Sequence, residues 1–176
     1  MAASVTYTPI SSYTFASAAA NYTFTSIPAT YTDLILVMTL GVNRNGAAFS
    51  IQVGNGSIDT NTNYSNTQLY GDGTSAASTR SASSTTQWPI TTMVGYGTSA
   101  NITSNVIAHF QNYSNSSTYK TALVRNNNTD SSYPGTGLSV CLWRSTSAIN
   151  TIKVLCGGTD TFNSGTTLSL YGIAAA

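Results

Sequence analysis

The stretch LILVMTL, residues 34–40, decides the fold. It is apolar on both faces and too short for a helix of ordinary length, which is the pattern of a central β-strand packed under a second layer. Working outward, NYTFTSI at 21–27 alternates with Tyr22 and Phe24 on one face. AAFSIQV at 47–53 puts Phe49, Ile51 and Val53 on one side, and NVIAHF at 105–110 groups Val106, Ala108 and Phe110. YKTALV alternates weakly. LSVCLW sets Leu138, Val140 and Leu142 in register, INTIKVLC follows, and TTLSLYGI sets Leu168 and Leu170 in register. Clusters of Gly, Asn, Ser and Asp separate these runs, and no segment has a period of 3.6. The expectation is an all-β fold: an antiparallel two-sheet sandwich of jelly-roll type with about eight to nine strands.

Composition agrees. Of 176 residues only 6% are charged, against roughly 25% in an average soluble domain, and glutamate is absent. Disorder pairs low hydrophobicity with high net charge, whereas this chain is 41% hydrophobic, 10% aromatic and nearly neutral at +1, so it has a core to bury. The abundance of Thr and Tyr with few Lys favours strand over helix. Residues 21–176 read as a single sandwich domain and residues 1–20 as a candidate N-terminal arm. Two long loops are expected, at about 54–88 and 126–137.

Several function classes lose support. The six cations are scattered singly, which argues against a nucleic-acid partner. No apolar run approaches the ~18 residues of a membrane span, so no membrane insertion is expected. The first twenty residues have neither a basic nor a continuous apolar segment, so no secretory signal is read and synthesis in the cytoplasm is expected. Seven Asn-x-Ser/Thr triplets are what chance supplies in a chain this rich in Asn, Ser and Thr. Cys141 and Cys156, on two predicted neighbouring strands, read as reduced, buried thiols.

His109 is the only histidine and lies inside a predicted strand, where it reads as half-buried and not as a triad member. Asp33, Asp59, Asp72, Asp130 and Asp160 are too scattered to suggest a calcium loop or a glycosidase pair, and His and Cys lack zinc spacing. No catalytic residue, metal or cofactor is expected. Gly71-Asp72-Gly73 reads as a turn whose Asp side chain accepts backbone amides, anchored by Leu69 and Tyr70. The Ser/Thr run after it reads as an exposed loop. Tyr64, Tyr70, Asp72 and Trp88 are the candidate contact surface in the long loop, since Tyr and Trp serve protein interfaces and sugar stacking alike.

Four segments together carry a resemblance: FTSIPATYTDLILVM (24–38), YSNTQLYGDGTSAAS (64–78), LWRSTSAINTIKV (142–154) and TTLSLYGI (166–173). In this order they span most of the chain, which resembles the small β-rich surface and structural modules of tailed-bacteriophage virions. Such modules occur alone and at the tips of fibres. The resemblance implies a non-enzymatic virion protein. With no coiled-coil or collagen-like shaft, it implies capsid decoration (cement) on the head exterior more than a fibre. The expected partners are the major capsid protein and copies of itself, as an oligomer such as a trimer. The alternative is a tail-tip receptor-binding module that takes a host surface glycan.

Overall fold

The computed structural model describes residues 6–44, 47–90, 103–128 and 135–174. Among them every regular element is a strand: β1 (Tyr7–Thr14), β2 (Asn21–Phe24), β3 (Asp33–Leu40), β4 (Phe49–Asn55), β5 (Ser57–Ile58), β6 (Tyr64–Gly71), β7 (Ala76–Thr85), β8 (Trp88–Ile90), β9 (Ser104–Gln111), β10 (Lys120–Asn128), β11 (Thr136–Trp143), β12 (Thr151–Cys156) and β13 (Thr167–Ile173). The architecture is the expected two-sheet antiparallel sandwich, with thirteen strands instead of eight or nine.

One sheet has the order β1-β13-β3-β9-β10-β11-β6-β7. The other runs β2-β12-β4, with β5 and β8 both pairing with β4. Eight of these strands make a jelly roll, because the chain alternates between layers: β1, β3, β9 and β13 in one, β2, β4, β8 and β12 in the other. The remaining strands are two insertions. β5–β7 lie between β4 and β8, and β10–β11 between β9 and β12. Four of the inserted strands, β10, β11, β6 and β7, extend the larger sheet beyond β9.

The core lies between the sheets. On β3, Leu34, Leu36, Met38 and Leu40 are buried, and they meet Phe49, Ile51 and Val53 of β4 within one apolar cluster. Alternation along each strand is what makes this possible, since the side-chain period is two. Leu168 and Leu170 of β13 and Val106, Ala108 and Phe110 of β9 also face inward.

Four expectations change. Tyr7–Thr14 is not an arm but strand β1, in register with β13 from Tyr7↔Ile173 to Thr14↔Thr167. Tyr13 stacks on Tyr22 of the opposite sheet with centroids 3.9 Å apart, which fixes β1 to the sandwich. Residues 1–5 lie outside the described residues. The expected loop 54–88 holds β5, β6 and β7, so the Ser/Thr run after Asp72 is a ten-residue edge strand. The expected loop 126–137 is shortened by β10 and β11, and its middle, 129–134 with Asp130, lies outside the described residues. Cys141 and Cys156 are free and buried, as expected, but they sit in different sheets and not on neighbouring strands.

Candidate interaction surface

Of the four contact residues expected from sequence, two are interior. Tyr64 and Trp88 are completely buried and meet edge to face with centroids 5.6 Å apart. The correction follows from β6 and β8 being strands, since each places its aromatic ring inward. The Tyr64 hydroxyl lies 2.8 Å from the carbonyl oxygens of Val53 and Asp59 and accepts the Val53 amide at 3.2 Å. Burial pushes its pKa well above the usual phenol range. Trp88 Nε1 donates to the Leu142 carbonyl at 2.9 Å, tying β8 beneath β11.

Asp59 is the hub of the loop that enters β6. Its Oδ2 accepts Trp143 Nε1 at 2.8 Å and Asn63 Nδ2 at 2.7 Å, and Oδ1 accepts the Asn61 amide at 2.9 Å. Partial burial pushes its pKa up, but the donors from Asn63, Trp143 and Asn61 together outweigh this and hold it below the usual carboxylate range. Arg144 closes the arrangement from outside, donating to Ser65 Oγ at 2.9 Å and the Tyr64 carbonyl at 3.1 Å. These bonds explain why Trp143 and Arg144 occur together, and their role is to hold the fold.

Asp72 caps the β6–β7 turn. Its Oδ1 accepts the amides of Thr74 at 2.9 Å and Ser75 at 2.7 Å, which push its pKa far below the usual range. Gly73 has φ of 89°, so the turn reading holds. Tyr70 is half-buried. Leu69 is no anchor, because its side chain points to solvent with 57% exposure.

Leu69 belongs to a surface that sequence reasoning missed. β11 was expected to bury Leu138, Val140 and Leu142, but it buries Ser139, Cys141 and Trp143. Leu138, Val140 and Leu142 face outward, with Val140 at 55% exposure. Val37, on the outer face of β3, is 38% exposed. Cross-strand pairing assembles two rows on the outer face of the large sheet. One runs Ser169, Val37, Ile107, Arg125, Leu138, Leu69, Ser78. The next runs Tyr171, Ile35, His109, Leu123, Val140, Thr67, Arg80. Of the seven large apolar side chains left exposed among the described residues, five lie in these rows: Val37, Leu69, Leu123, Leu138 and Val140. Contiguous apolar surface of this kind marks a contact site in a way that single exposed residues do not.

The face carries few charges. His109 Nε2 lies 2.7 Å from Asp33 Oδ2 near one side, and Asp33 Oδ1 accepts the Asn112 amide at 2.7 Å. Arg80 and Arg144 flank Val140 and Leu142 in a shallow groove toward the other side, and Arg125 borders a cleft with Asn105, Ile107, Asn127 and Thr136. The described residues contain no cluster of three metal-ligating side chains. The chemistry available to this face is apolar burial with polar edges.

No protein-family model matches the chain, and no curated protein matches it.

Proposed function

We propose that this chain is a structural protein of a tailed-phage virion, a decoration protein on the outside of the head that strengthens the shell through protein–protein contacts. The observation that carries the reading is the uncovered apolar outer face of the eight-stranded sheet. A sandwich needs only its inner faces apolar, and antiparallel strands normally place polar residues outside. Here β3 and β11 place Val37, Leu138 and Val140 outside, a pattern suited to a surface buried in assembly. The resemblance of the chain to virion surface modules supplies the setting, and the jelly-roll order of the strands is compatible with it.

Burial of Tyr64 and Trp88 removes two of the three aromatics on which a glycan-binding tail-tip module would rest. Apolar contact, with few ion pairs, gives an association that persists at high salt. The deciding experiment is the location and copy number of the protein in virions, by labelling and quantitative mass spectrometry. Hundreds of copies spread over the head support the proposal. A handful at the tail, or clean release from heads at moderate salt, would overturn it.

A further inference from the structure

We propose that the outer face of the eight-stranded sheet is covered in solution by the same face of a second copy, about a two-fold axis parallel to the strands and passing between β10 and β11. The inference rests on the reading of this face as a permanent protein contact, and it names the first occupant.

The area suffices. Seven strands from β13 to β7 carry the two rows. The axis opposes six of them, all but β13, and at about 4.8 Å between strands and 3.3 Å per residue over seven residues the overlap covers roughly 670 Å². A stable interface of standard size buries about 600–1,000 Å² per partner. Two sheets also stack face to face naturally, about 10 Å apart with strands nearly aligned.

The pattern on the face is self-complementary under that axis. Strands equally distant from the axis come to oppose one another: β10 with the partner's β11, β9 with the partner's β6, β3 with the partner's β7. Leu123 then meets the partner's Val140 and Ile107 the partner's Leu69, one apolar pair in each row, while Val37 meets the partner's Ser78, His109 the partner's Thr67 and Ile35 the partner's Arg80. The Asp33–His109 side of one copy comes over Arg80 of the other, bringing a carboxylate toward a guanidinium. Arg125 opposes the partner's Leu138. Its stem covers apolar surface while its head has the cleft lined by Asn105, Ile107, Asn127 and Thr136 to reach into.

The test uses the full chain at concentrations from about 1 to 100 μM. Sedimentation should give a species of twice 18.4 kDa. The double variant Leu69→Asp/Val140→Asp should dissociate at least thirtyfold more readily, with an unchanged circular dichroism spectrum. Independently, a chain carrying Ile107→Cys with Leu69→Cys should be joined between copies by a bifunctional maleimide about 8 Å long, while either substitution alone should not. The native thiols of Cys141 and Cys156 are buried and leave little background. A monomer at 100 μM overturns the inference, as does a trimer, a dimer insensitive to the double variant, or the absence of the Ile107/Leu69 cross-link. A monomer whose binding to heads is abolished by Leu69→Asp/Val140→Asp sinks the dimer and leaves the assembly reading standing. A dimer that is missing from heads does the reverse.

Discussion

The facing of β11 can be tested by placing the same charge at two adjacent residues. Val140 is 55% exposed and Cys141 is fully buried. Val140→Asp gives up the remaining half of a valine's burial, about 1 kcal/mol. It adds a strand-propensity cost of up to about 1 kcal/mol. Cys141→Asp puts a carboxyl among core side chains. Either it ionises without a partner, or it stays protonated with its pKa raised, and both routes cost on the order of 3–5 kcal/mol. The predicted gap is therefore about 1–4 kcal/mol. For a domain of 176 residues this is roughly 2–16 °C in melting temperature, at about 2–4 °C per kcal/mol. The assay is thermal and urea unfolding, followed by tryptophan fluorescence and circular dichroism. It is run where the midpoint no longer depends on protein concentration, so that self-association does not contribute. A one-residue slip of β11 would exchange the two sets of side chains. If Val140→Asp proves as damaging as Cys141→Asp, or more so, the assigned facing is wrong and the proposed contact surface goes with it.

Four further outcomes are expected. Asp59→Asn should cost about 1–2 kcal/mol at pH 7, less than a fully buried charged hydrogen bond because the group is partly solvated. Since the folded pKa of Asp59 is depressed, its contribution is present above the unfolded value of about 3.9 and lost as pH falls through the folded value, so urea midpoints below pH 4 should converge for wild type and variant. Lys120→Met should destabilise by about 1–3 kcal/mol in chemical denaturation, because Nζ satisfies the carbonyls of Thr118 at 2.6 Å and Thr146 at 3.0 Å. Gly54→Ala should cost about 3 kcal/mol in the same assay, since an added Cβ would lie 1.8 Å from the Ser57 carbonyl oxygen and only backbone movement relieves that. Iodoacetamide should leave both cysteines unmodified in the native protein at pH 8 and alkylate both in denaturant, because burial pushes Cys141 far up and Cys156 up to about 12. Mass spectrometry reads the result directly.

The sequence by itself determined that this chain is an all-β sandwich and located most of its apolar strands. Short continuous apolar runs and period-two alternation have only one economical burial, between two sheets, and LILVMTL, AAFSIQV and TTLSLYGI say so locally. It also identified the Gly71-Asp72-Gly73 turn, because turn chemistry is local. Of the strands it missed between 54 and 90, β6 and β7 are largely polar. β6 turns Asn66 and Gln68 inward, where both side chains donate to the Pro89 carbonyl at 2.7 Å, and β7 is almost entirely Ala, Ser and Thr. Such segments become strands through hydrogen bonds to neighbours distant in sequence, which no local pattern records. The same reason governs the contact residues. Tyr64 and Trp88 look like surface aromatics until pairing makes them core. Leu138 and Val140 look like core until pairing with β10 and β6 turns them outward. Alternation states that the two faces of a strand differ, and only the tertiary pairing decides which face the interior takes.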